Sequence, residues 1–178
     1  MKWKSLHAIN IFLLAITSWL CLSIQSVFWF QIFGSITGPA LWFGLFVYLI
    51  LERDEKENLF IIYALCLLIL PFTAMTLKIL LLSFMILYFV LRFFKERVYV
   101  PGLRFFITAN FLSLIFFHLL TYLLSRQLDR IPAELELGPR LLQVILSTAL
   151  CPWAFYFMKW LDRWSWPILS MDAGASSE

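Results

Sequence analysis

The stretch FFITANFLSLIFFHLLTYLL, Phe105 to Leu124, runs for twenty residues without an Asp, Glu, Lys or Arg. Coiled as a helix at 1.5 Å per residue, it reaches about 30 Å, the thickness of a bilayer's hydrocarbon core. Several other runs in the chain approach this length, and that limits the solvents in which the chain can fold. Hydrophobic residues make up 62% of the 178 and charged residues 14%, against roughly 45–50% and 25% in soluble domains. A soluble domain of this size has too little interior to hide so many Leu, Phe and Trp side chains. The runs lack the apolar/polar alternation of a membrane barrel. Helices remain, because a span must satisfy its backbone N–H and C=O groups internally.

The sequence therefore predicts an all-α integral membrane protein with six transmembrane helices. They form one domain, residues 1–166, followed by a polar tail, 167–178, expected to be disordered. The expected spans are Ala8 to Phe28, Pro39 to Leu51, Leu59 to about Thr76, about Ile79 to Phe94, Phe105 to Leu124, and Leu141 to Met158. The second holds only thirteen residues, so it is either short or preceded by a re-entrant segment over residues 32–38. The fourth requires a tight turn at Thr76 to Lys78. The N-terminal MKWKSLHAINIFLLAITSWLCLSIQS is expected to stay as the first helix. Its apolar stretch is too long for a secretory leader, and no small-residue cleavage site ends it.

Positive residues set the orientation. With six spans, Lys2, Lys4, Arg53, Lys56, Arg92, Lys95, Arg97, Arg104, Lys159 and Arg163 share a side with both termini, and Lys78, Arg126, Arg130 and Arg140 lie opposite. Ten against four puts the termini in the cytoplasm. The net charge of +3 then serves anionic lipid at that surface, and no nucleic-acid partner is expected. RFFKERVYVPGLRFF, Arg92 to Phe106, reads either as a basic, aromatic interfacial loop or, in the favoured reading, as an ordinary positive-inside anchor. The sixth span ends in a collar of Lys159 and Arg163 with Trp160, Trp164 and Trp166, suited to headgroup depth.

Pro152, followed by Trp153, interrupts that span near its middle and cannot donate to the carbonyl of Thr148. The helix is thus expected to pack within protein, where a freed carbonyl finds a partner. Gly34-Ser-Ile-Thr-Gly38 has GxxxG spacing, but Pro39 follows at once and marks a helix start. The favoured reading is a loop entering the second helix. Lys78 is expected to snorkel to the interface, with pairing to Asp129, Glu134 or Glu136 of a partner loop as the alternative. SRQLDRIPAELELGPR, Ser125 to Arg140, suggests a short interfacial helix ended by a turn at Gly138-Pro139.

His118 is the one clearly intramembrane ionisable residue. With Asn110, Ser113, Thr121 and Ser125 it falls within an arc of about 140° on the fifth helix. Ser18, Cys21 and Gln25 form a similar stripe on the first helix, and Gln143 and Ser147 on the sixth. Such stripes face a bundle interior, either to hydrogen-bond between helices or to line a pocket for a ligand or proton. Cys21, Cys66 and Cys151 fall inside spans at no zinc-binding spacing and are expected to pack as small apolar residues. The spans contain no acidic residue, and no phosphate loop, dinucleotide fingerprint, HExxH or GxSxG occurs. No catalytic residue, cofactor or metal is expected.

PALWFGLFVYLIL, Pro39 to Leu51, and LLQVILSTALCPWAFYFMKWLDR, Leu141 to Arg163, resemble the corresponding spans of the rod-shape-determining protein MreD family. The resemblance extends to six short spans with cytoplasmic termini and a Pro-Trp final helix with a basic end. Family members commonly carry an Asp and glycines in the third span. ALCLLILPFTAMTLK has Pro71 and Thr73 instead, which marks this chain as diverged. The resemblance implies a non-enzymatic inner-membrane subunit of the bacterial cell-elongation machinery. Its implied partners are an MreC-like protein and, indirectly, the peptidoglycan transpeptidase and glycosyltransferase, with Pro39, Asn110, His118, Gln143, Pro152 and Trp153 as structural or partner-contact candidates. The family's fold is similar to the substrate-binding subunits of energy-coupling-factor vitamin transporters, so a small-molecule uptake subunit is the alternative. The first span lacks the Ala-xxx-Ala step with which such subunits contact their coupling partner.

Overall fold

The computed structural model describes residues 16–34, 36–52, 55–73, 75–98, 102–129 and 136–165, with side chains omitted for 55–60 and 163–165. Among them the secondary structure is helical: α1 (Ile16–Phe33), α2 (Leu41–Glu52), α3 (Glu55–Ile69, prolonged by a 3-10 turn at Leu70–Phe72), α4 (Leu77–Val98), α5 (Leu103–Leu128) and α6 (Leu137–Ser165). Four of these, α1, α4, α5 and α6, are long and apolar enough to cross a membrane, while α2 and Ile61–Phe72 are shorter apolar helices. The chain is thus a helical protein of membrane type.

Its centre is α2. Every residue from Trp42 to Leu51 is buried, and α2 packs against α3, α4, α5 and α6. A helix apolar on all sides buries all sides, and LWFGLFVYLIL offers no polar stripe to turn outward. At 12 residues it reaches only about 18 Å. A helix that short suits a position enclosed by longer neighbours, which shield its ends from lipid. Two aromatic clusters fill the surrounding space. Phe46 meets Phe84 at 4.5 Å edge-on, and Phe84 meets Phe117 at 5.3 Å. Nearer the other end, Tyr48, Phe106 and Phe155 pack together at 4.9–6.1 Å. Gly44 admits α6: a Cβ there would sit 3.5 Å from that of Ala154. The outermost long helix is α1, with 22% of its residues buried against 33–39% for the other three.

Polar bonds at the two ends show that the helices alternate in direction. Lys95 Nζ donates to Ile50 O at 3.1 Å, and the Tyr48 hydroxyl to an Asp162 carboxylate oxygen at 2.7 Å. The C-terminal ends of α2, α4 and α6 therefore share one end of the bundle. At the opposite end Lys78 pairs with Asp129 at 3.3 Å and donates to Leu128 O at 2.6 Å, joining the start of α4 to the end of α5. The pairing of Lys78 with Asp129, the alternative reading, is thus present: a carboxylate and the exposed last carbonyls of a helix both attract a cation.

Several boundaries differ from those expected. The first helix continues to Phe33, through a π turn at Ile24–Phe28. The Arg92–Phe106 stretch is mostly helix: α4 runs to Val98, supported by an Arg92–Glu96 pair at 3.1 Å, one turn apart, and by Arg97 over the Phe93 ring at 4.1 Å. Gly138-Pro139 lies inside the first turn of α6, where Pro lacks only an N–H that has no partner, so it ends no interfacial helix. Residues 36–40 are non-helical, as the loop reading expects, and Ser35 lies outside the described residues. Gly34 closes α1 at φ 61°, a left-handed conformation that favours glycine. The basic residues Lys2 and Lys4, the 130–135 connector, Trp166 and the 167–178 tail lie outside the described residues.

Candidate functional site

Between α1, α5 and the start of α6, one member of each polar stripe, Gln25, His118 and Gln143, lines a cavity of about 350 Å³. The 37–40 segment forms one wall. Gln143 Nε2 donates to Gly38 O at 3.2 Å, and Ser147 Oγ accepts from Ala40 N at 2.8 Å while donating to Gln143 O at 2.5 Å. Helix α6 thereby fastens the entry to α2, whose first N–H groups have no partner one turn back. Pro39 is buried within this segment. The indole of Trp29 donates to Ile36 O at 3.0 Å and lies so close that a Cβ on Gly38 would come within 3.1 Å of it. Gly38 is thus fixed by close approach.

The second wall comes from α1. In a regular helix adjacent residues point about 100° apart. Gln25 and Ser26 both line the cavity because they sit in the π turn, a bulge that helices use to redirect side chains and that recurs at functional sites. The third wall is His118 on α5, with Arg140 NH1 3.2 Å from its Nδ1. A guanidinium only donates, so Nδ1 is the acceptor and the ring's proton resides on Nε2. That Nε2–H, Gln25 Oε1 and Ser26 Oγ are buried without a hydrogen-bond partner. Trp42, Phe72, Leu80 and Phe117 are among the apolar residues of the lining. No acidic residue lines the cavity among those described.

The α5 stripe faces inward as its spacing requires: Asn110, Ser113, Thr121 and Ser125 are buried. Its members do different things. Thr121 bonds back to His118 O at 3.0 Å, and Ser125 reaches Asp129 at 3.4 Å. Asn110 sits deeper, beside Gly44, with Oδ1 unpaired. Of the sequence candidates, the structure gathers His118, Gln143 and the Pro39 segment at one site and leaves Asn110, Pro152 and Trp153 outside it. Pro152 is half-buried in an unbroken α6, flanked by buried Cys151 and Ala154. That agrees with a helix packed on protein, and α6 packs on α2 and α5. Trp153 faces outward, 57% exposed. Cys21, Cys66 and Cys151 are free and buried, consistent with packing as small apolar residues. Reading Ser125–Arg140 as a short interfacial helix ended by a turn hid Arg140. The signal was present in the sequence: an arginine just after a Gly-Pro helix start stands against the helix dipole and needs another reason to be there. No family model, no curated protein and no solved structure matches the chain.

Proposed function

We propose that the chain crosses the bacterial inner membrane six times with both termini in the cytoplasm. In this reading it acts as a non-catalytic scaffold subunit of the cell-elongation complex, holding an MreC-like protein and, through it, the peptidoglycan synthases. The short helix α2 crosses under cover of the longer ones, and α3 crosses at the edge of the bundle. The observation that carries the reading is the outer face of α6, the helix on which the MreD resemblance is strongest. Trp153, Tyr156 and Trp160 project from it at 53–61% exposure, with Trp153 and Phe157 stacked at 5.5 Å. Ala154, Phe155, Met158 and Leu161 on the opposite side pack into the bundle. A rigid aromatic ridge backed by a packed face suits a partner helix, since association within lipid depends on van der Waals fit.

The test is a combined Trp153→Ala, Tyr156→Ala, Trp160→Ala variant in a rod-shaped host that depends on the gene. MreC should no longer co-purify and cells should round, at unchanged protein level. Retained MreC and normal rods would refute the assignment. A second reading, the small-molecule subunit of an energy-coupling-factor type transporter, has the polar cavity in its favour. Co-purification of paired ATPases instead of MreC would select it.

A further inference from the structure

We propose that the cavity between the π turn of α1, the 37–40 segment and the start of α6 binds a small molecule carrying an anionic oxygen group on an apolar body. The inference depends on neither the scaffold nor the uptake reading, because it rests on the cavity wall alone. Folding leaves few buried polar atoms without partners, yet three of them, from two helices, meet at this one cavity: Gln25 Oε1, Ser26 Oγ and His118 Nε2. One of the three is fixed as a donor. Arg140 occupies the Nδ1 side of His118, which leaves the Nε2 proton to be given to something else. Ser26 can donate as well.

Charge adds to this. Arg140 lines the cavity from the first turn of α6, a 29-residue helix, where its charge and the positive helix end reinforce each other. No acid among the described lining residues offsets them. The guanidinium's remaining N–H groups, the His118 Nε2–H and the Ser26 hydroxyl together form a donor set for an oxyanion. Trp42, Phe72 and Phe117 line the same cavity and offer a surface for an aromatic or aliphatic body. A volume of about 350 Å³ lies at the small end of the range for ligand sites, roughly 300–1,000 Å³. A carboxylate on a compact apolar group meets these terms, and so does the phosphate of an anionic lipid headgroup.

The full chain, reconstituted in phosphatidylcholine nanodiscs, is titrated with octanoate, phenylacetate and naphthalene-2-carboxylate, and with the primary amide of each. At least one acid is expected to bind saturably and about tenfold tighter than its amide, the scale of one charge-assisted hydrogen bond. Arg140→Gln should abolish that preference. Ser26→Ala is the control for folding: it removes an unpaired buried hydroxyl, so the thermal midpoint should hold or rise while the acid binds several-fold more weakly. Adding phosphatidylglycerol assigns the source: displacement of the acid identifies a lipid headgroup, and persistence identifies a water-soluble ligand. No acid outbinding its amide, or a preference that survives Arg140→Gln, overturns the proposal. So does a Ser26→Ala protein that binds as wild type. Each of these leaves MreC co-purification untouched, so this proposal fails separately from the scaffold reading.

Discussion

Ser147→Ala removes one oxygen atom from a buried side chain, and its cost follows from where that oxygen sits. Ser147 Oγ accepts the Ala40 N–H at 2.8 Å, and both residues are buried, 4% and 2% exposed. Ala40 stands at the entry to α2, where a helix usually supplies its own Ser, Thr, Asp or Asn cap. Here the cap comes from α6, 107 residues later. The variant strands a buried backbone donor that the preceding turn does not satisfy. A buried unsatisfied donor costs about 1–3 kcal/mol, and side-chain hydrogen bonds within membrane proteins average about 0.6 and reach about 1.7 kcal/mol. Together these predict a loss of about 1–2 kcal/mol, a factor of roughly 5–30 in the folded-to-unfolded ratio. Thr148→Val is the matched control. Its hydroxyl bonds back to Val144 O within α6 at 2.8 Å, a local bond whose loss strands no donor, so the change should stay below about 0.5 kcal/mol. Reversible unfolding in mixed micelles, followed by tryptophan fluorescence, measures both. Equal costs for the two variants, or a Ser147→Ala protein as stable as wild type, would show that the α6 hydroxyl does not secure α2.

Gly44→Ala should be tolerated, because its new Cβ makes ordinary contact with Ala154 at 3.5 Å, whereas Gly44→Leu overpacks the same place and should cost about 1–3 kcal/mol; the unfolding assay separates them. Lys78→Met removes the pair with Asp129, but the Lys78 side chain is 53% exposed, so the loss should remain under about 1 kcal/mol and shrink further in high salt.

Much of the architecture was legible because apolar run length and the absence of alternation are properties of the chain itself. The inward direction of Asn110, Ser113, Thr121 and Ser125 followed from helical spacing. The burial of α2 was implicit in a run with no polar face. Helix ends were less legible. Basic residues such as Arg92 and Lys95 look like loop residues by composition, yet Lys95 spends its charge on the Ile50 carbonyl and the helix continues past it. The cavity was half legible: His118, Gln143 and Gln25 lay on recognisable stripes. Ser26 could not be found from periodicity, because the π turn that brings it beside Gln25 breaks the 3.6-residue repeat on which such readings depend. Arg140 becomes legible only when Gly138-Pro139 is read as a helix start and not as a turn.

Six spans require α2 to cross the membrane as a short helix sheathed by its neighbours. Single cysteines at Ile36 and Glu52, which flank it, test this by labelling intact spheroplasts with a membrane-impermeant maleimide; the three native cysteines are buried and give a low background. Position 36 should label from outside, together with Thr76 and Glu136, while position 52 should label only after permeabilisation, together with Val98 and Gly102. Labelling of positions 36 and 52 from the same side would contradict it.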